Sequence, residues 1–299
     1  MTTKKEQPAG GKVLSKSTEK LLAAALAIDE QSAVDTGELG FMARAMTLCT
    51  LPHSKPKEQE FTRKNGNYTM TMVAPKAIGL PYGVIPRLLL AWISTEAVRT
   101  KNRTLLLGDS LSHFLKELGL SRTGGERGDI TRFKDQLKRL FSCSITCNYH
   151  STARDTGMGF RIAQKYDLWW HPQQPDQAGL WESTLTLSEE FYEEVTTSPI
   201  PIDIRALRAL KRSPLALDIY IWLTFRTSYL KAPTPISWKQ LQNQFGADYS
   251  RPRAFREAFI DALRKVELVY PGAKASVYDD DIVLGPGTTS VPKKRKTLS

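Results

Sequence analysis

One block of this 299-residue sequence occurs twice, and that recurrence limits the possible folds more than any composition figure does. Pro86 opens an apolar helical segment, Arg87 to Val98, and Pro214 opens another, Leu215 to Leu230. Proline suits a first helical turn, where its missing N–H has no partner to lose. Each segment leads through a short strand into a capped helix ending in glycine, Asp109 to Gly119 in one copy and Ser237 to Gly246 in the other. An arginine-bearing turn follows, then an amphipathic helix. Its apolar face is Ile130, Phe133, Leu137 and Leu140 in the first copy and Phe255, Phe259, Leu263 and Val266 in the second. Corresponding positions keep an offset of 126 to 128 residues across four elements. Two helical α+β domains that shared only generic punctuation would not keep step in this way.

Each amphipathic helix feeds a hairpin. In the first copy Phe141, Cys143, Ile145, Cys147 and Tyr149 alternate with small polar residues, the period of a strand with one buried face. Its partner is expected from Phe160 to Leu168, with residues 150–159 as the loop. The second hairpin is expected to pair Glu267 to Tyr270 with Ser276 to Leu284 about a turn at Pro271-Gly272. Helix, strand, helix, turn, helix, hairpin is the order of a winged helix-turn-helix. The sequence therefore predicts an α+β protein of two tandem winged helix-turn-helix domains related by internal repeat, over residues 38–180 and 181–286. A linker is expected near Pro172 to Gly179.

Residues 1–37 read as a mobile basic arm followed by an amphipathic helix with Leu21, Ala25 and Ile28 on one face, and residues 287–299 as a basic tail. Phe61 to Lys64 and Asn67 to Met72 flank Asn65-Gly66, the dipeptide of a two-residue hairpin turn.

A formal charge of +11 makes nucleic acid the first partner to expect, because such an excess attracts polyanions before any specific contact forms. The longest apolar runs, Leu21 to Ile28 and Leu215 to Leu230, are too short to span a bilayer, and neither reads as a signal peptide. A cytoplasmic location without membrane attachment is expected. Cys49, Cys143 and Cys147 are too few for a disulfide framework and read as reduced thiols.

A recognition helix meets base edges with its leading and outward residues. In the second copy those are Arg251, Arg253, Arg256, Glu257 and Arg264; arginine can fork onto guanine and a carboxylate can accept from cytosine. In the first copy the outward face holds Arg132, Asp135 and Arg139, with Arg122 and Arg127 in the preceding turn. Arg154 and Lys274 stand in the expected hairpin loops, where wings touch phosphate. Because the arginines of the second helix cluster at its leading end, that helix is expected to read sequence, and the first to contact phosphate. The alternative for each helix taken singly is a solvated charged face; the recurrence and the net charge favour contact with DNA.

Other chemistries find little support. Cys143 and Cys147 fall on an inward strand face beside His150, better read as buried thiols than as a metal site. Asp279-Asp280-Asp281 reads as a solvated turn. No Gly-x-x-x-x-Gly-Lys-Ser/Thr loop is present, and the four histidines are scattered, so neither ATP hydrolysis nor nicking has a visible motif. No catalytic residue, metal or cofactor is expected. Lys293 to Lys296 reads as a phosphate-attracting tail rather than a nuclear signal.

The runs Pro81-Tyr-Gly-Val-Ile-Pro-Arg-Leu-Leu-Leu-Ala-Trp92, Leu118-Gly-Leu-Ser-Arg-Thr-Gly-Gly125, Phe133-Lys-Asp-Gln-Leu-Lys-Arg-Leu-Phe141 and Pro201 to Arg226 resemble the plasmid-encoded RepA family of replication initiators, over about residues 38–286. The resemblance implies two winged-helix domains that bind repeated origin sites (iterons) in double-stranded DNA, open the duplex nearby and recruit host DnaA and DnaB-type proteins. It also implies monomer–dimer self-association, with dimers repressing the protein's own gene. The rival readings are a winged-helix transcriptional repressor and a replication nickase or primase.

Overall fold

The computed structural model describes residues 16–107, 111–121, 128–168, 183–246 and 249–291. The basic arm before residue 16, the expected linker, Arg122, Arg127 and the tail cations lie outside the described residues. The chain is a mixed α/β protein.

Helix α1 (Lys16–Glu30) buries Leu21 and rests Ala25 and Ile28 on the core, the face read from their spacing. Its C-terminal end is held by Arg205, which donates to the Ala27 and Gln31 carbonyls at 2.8 Å each, a cation where the helix dipole favours one. Strand β1 (Leu39–Met42) and helix α2 (Ala45–Leu48) follow, then the hairpin β2 (Glu60–Asn65) and β3 (Tyr68–Val73). Asn65 pairs with Tyr68, so the two turn residues are Gly66-Asn67, one position later than expected. Gly66 takes φ +57°, the left-handed conformation that a residue without Cβ adopts at little cost.

Helix α3 (Val84–Thr100) is buried along most of its length, with Pro86 inside its first turn. After it come β4 (Thr104–Leu106), α4 (Leu111–Glu117), α5 (Asp129–Ser142), β5 (Ser144–His150), β6 (Asp155–Arg161), β7 (Ala163–Asp167), β8 (Thr184–Leu187) and α6 (Glu189–Thr197). β9 (Ile200–Asp203) and α7 (Ile204–Leu210) lead to α8 (Pro214–Thr227), whose cap Ser213 accepts from the Ala216 N–H at 3.1 Å. The chain closes with β10 (Thr234–Ser237), α9 (Trp238–Phe245), α10 (Pro252–Val269), β11 (Lys274–Val277) and β12 (Asp281–Gly285).

The strands form four antiparallel sheets: β1-β9, β2-β3-β5-β6, β4-β8-β7 and β10-β12-β11. In each of the last two, the strand that follows an apolar helix pairs with the final strand, and the middle one lies outside.

Two hairpins differ from expectation. Helix α5 continues through Phe141 and Ser142, and β5 pairs with β3 as well as β6. The expected partner strand is divided between β6 and β7, and the loop shrinks to residues 151–154. The alternation is real only for Cys143, Ile145 and Cys147, all buried; Tyr149 is exposed. Toward the C-terminus Val266, Val269 and Tyr270 are buried at helical rather than alternating spacing, so α10 absorbs residues 267–269. Pro271-Gly272 is the bend into the hairpin, whose own turn is Tyr278 to Asp280.

Candidate DNA-binding surface

Helix α10 starts at Pro252 and buries Phe255, Phe259, Ala262, Leu263 and Val266 against the rest of the molecule. That face leaves Arg253, Glu257, Asp261 and Arg264 outward, and Arg251 exposed at the N-cap. Arg253 is 88% exposed and its Nε lies 3.0 Å from Glu257 Oε1. Arg256, on the flank beside the hairpin, is held more tightly. Its guanidinium donates to the Tyr278 carbonyl at 3.1 Å and to Asp279 at 3.0 Å, and lies 5.2 Å from the centre of the Trp238 ring. Helix α9 in front of it is fixed by a capping box, Ser237 accepting from the Gln240 N–H while the Gln240 side chain accepts from the Ser237 N–H. Lys274 is exposed but belongs to strand β11, paired with Gly285, and not to the turn. The turn carries carboxylates instead.

On α5, Arg132 is exposed and ion-paired with Asp129. Burial favours the neutral Asp129 carboxyl, but hydrogen bonds from Ser121 and Arg132 outweigh it and hold the group below the usual aspartate range. Arg139 turns inward: its side chain is 13% exposed, paired with Asp135 at 2.8 Å, and lies over Tyr82 while reaching the Leu80 carbonyl. That placement contradicts the expectation of an outward Arg139; Lys138 is the exposed cation on that stretch of helix. Arg154 is exposed in the β5–β6 turn, in a different sheet from β4.

Sequence reasoning missed the polar seam between α3 and α8. Arg87 of α3 grips Asp218 of α8 through two 2.7 Å hydrogen bonds, and donates to the Leu51, Pro52 and Gly83 carbonyls. His53 Nε2 meets the same carboxylate at 2.8 Å. Nearby, the Thr50 hydroxyl donates to the Gln244 carbonyl and the Gln244 side-chain amide donates to the Leu48 carbonyl, each at 3.2 Å. The available signal was a charge of opposite sign set inside the apolar first half of each helix, Arg87 before Leu88-Leu89-Leu90 and Asp218 between Leu217 and Ile219.

Cys49, Cys143 and Cys147 are buried thiols. Burial pushes Cys49 and Cys143 up to about 12, so neither is a nucleophile at neutral pH. Among the described residues no group of three His, Cys, Asp or Glu side chains could hold a metal ion, and no helix is long and apolar enough to cross a membrane.

These features define a class: a basic, mixed α/β protein that presents arginine-bearing helices beside small antiparallel sheets. The chain matches the family described as plasmid encoded RepA protein over residues 80–240, more than half its length, and it belongs to that family. Its role is that of a replication initiator, which implies DNA binding. The match ends within α9, so α10 lies beyond it. Solved structures of RctB domains 2 and 3 are among those similar to this chain. The selenomethionine derivative of RctB domains 2 and 3 is 14% identical, with TM-score 0.52, covering 82% of this chain and 96% of that one. A second structure of RctB domains 2–3, also 14% identical, has TM-score 0.48, covering 80% and 94%. At that identity the likeness concerns fold alone. No curated protein matches the sequence.

Proposed function

We propose that the protein initiates plasmid replication by binding direct repeats at its origin through two winged-helix units, one from α3 to β8 and one from α8 to β12. The observation that carries this reading is the shared strand order of β4-β8-β7 and β10-β12-β11, in each of which an apolar helix leads into the first strand and a helix pair follows it, with exposed cations on the second helix, Arg132 and Lys138 on α5 and Arg253 and Arg264 on α10. Helix α10 reads bases, and Arg132 with Lys138 on α5 holds phosphate. Arg154, Lys274 and the tail add sequence-independent attraction. Binding opens the duplex nearby and recruits host DnaA and DnaB-type proteins in the cytoplasm, without catalysis by the chain itself. Self-association as a dimer on its own promoter would regulate its supply. A transcriptional repressor of the same fold would instead occupy a single palindrome, and a nickase or primase would need a catalytic group.

The test is a fluorescence-anisotropy titration of duplex DNA at several salt concentrations. Neutralising four or more phosphates should give a log–log slope of about −4 or steeper, near 0.9 for each phosphate. A flat dependence would remove the DNA-binding reading.

A further inference from the structure

The DNA-reading assignment above treats the arginines at the head of α10 alike, and the inference here rests on that assignment while separating them. Among the described residues Arg253 is bound to Glu257 alone, four residues along the same exposed face, with side chains 88% and 65% exposed. Pairs of that kind hold little energy and reorganise easily. Arg256 is engaged on three sides, by the Trp238 ring, the Tyr278 carbonyl and the Asp279 carboxylate. Trp238 Nε1 donates to the same Tyr278 carbonyl at 3.2 Å, and the Trp238 backbone N–H meets the Asp280 carbonyl at 3.3 Å. The heads of α9 and α10 thus hold three consecutive residues of the hairpin tip, which closes on itself through the Tyr278 N–H and the Asp281 carbonyl at 2.9 Å.

A guanidinium that forks onto guanine must present a free N–H edge. Arg256 could do so only by releasing the tip. We infer that Arg256 is a positioning residue that pins the β11–β12 tip to α10, and that base reading falls to Arg253 with Glu257 and Arg264. The pinning has a consequence for how any duplex docks. The tip carries Asp280 and the fully exposed Asp279 side chain, so fixing it places negative charge beside the reading helix. Approaches that bring a phosphate strand against the tip are penalised, and only orientations that keep the duplex clear of it remain favourable.

The experiment uses the full chain with Arg256→Ala, Arg256→Lys, Arg253→Ala and Arg253→Lys. Hydrogen exchange is followed over residues 274–285, with competition binding to a duplex of the direct repeats beside the gene and to its scrambled counterpart. Arg256→Ala should speed exchange at the tip by about tenfold, as loss of a charge-assisted hydrogen bond does, and weaken both duplexes alike. Arg256→Lys, which keeps a cation for Asp279 but has no fork, should leave the repeat-to-scrambled ratio within about twofold of wild type. Both Arg253 variants should lower that ratio roughly fivefold or more with exchange unchanged. Loss of discrimination in Arg256→Lys with an unperturbed tip would overturn the inference. Tip exchange that ignores Arg256→Ala would overturn it too. If the wild-type protein does not prefer the repeats, the DNA-reading assignment has failed, and the exchange data still decide the pinning.

Discussion

Asp218→Ala should lower the folding free energy by about 3 to 5 kcal/mol, because it leaves the Arg87 guanidinium buried without its counter-charge. Arg87 is 3% exposed and Asp218 only 7%, so water cannot replace the missing partner. The converse change, Arg87→Met, should cost a comparable amount by stranding the carboxylate. Replacing both at once, Arg87→Met with Asp218→Leu, should recover only part of the loss: it removes two desolvation penalties together, but leaves His53 and the Leu51, Pro52 and Gly83 carbonyls without the partners they now have. Chemical denaturation of the four proteins measures all three steps. If the single variants lose less than about 1 kcal/mol, the seam does not hold α3 to α8.

The same seam sets a pH dependence. Burial first, and then the charge of Arg87, hold the His53 imidazole below its ordinary 6.5 against the pull of Asp218. The folded protein therefore takes up this proton less readily than the unfolded chain, and stability falls as pH drops below about 6.5. Burial would raise Asp218, but Arg87 and His53 overcome it and keep its carboxyl under 3.8, adding a further loss in stronger acid. His53→Gln should flatten the first limb and leave the second.

Phe259→Ala is the second large effect, at about 3 to 5 kcal/mol. Phe259 is fully buried, and its ring meets Trp238, Phe245 and Phe255 edge-on or tilted at centroid distances of 5.9, 5.5 and 5.6 Å. These rings join α9 to α10, so the cavity opens where the proposed reading helix is seated. Thermal denaturation should show a loss well beyond that of Ile260→Ala, a half-buried neighbour on the same helix. Equal losses would mean that α10 is seated by some other contact.

Much of this architecture was legible because it rests on periodicity. The apolar spacing of Phe255, Phe259, Leu263 and Val266 placed α10 correctly, and Ser237 marked the start of α9. Strand partners were harder. Nothing local to Cys143, Ile145 and Cys147 says that β5 will also pair with β3, a strand more than seventy residues earlier. Side-chain direction was harder still. Arg139 is spaced like Arg132 on the helix, yet the Leu80 carbonyl and the Tyr82 ring draw it inward. Arg256 looked equivalent to Arg253 until the hairpin tip folded back onto it. The seam escaped notice because Arg87 and Asp218 each look out of place alone in an apolar helix, and only the fold brings them together.

Footprinting of the wild-type protein across its own replicon, at fixed salt, tests the central claim most directly. Protection of an array of direct repeats, each spanning about one to two helical turns of DNA, is the predicted result for two linked winged-helix units. A single protected palindrome, or protection that follows no sequence, would contradict it.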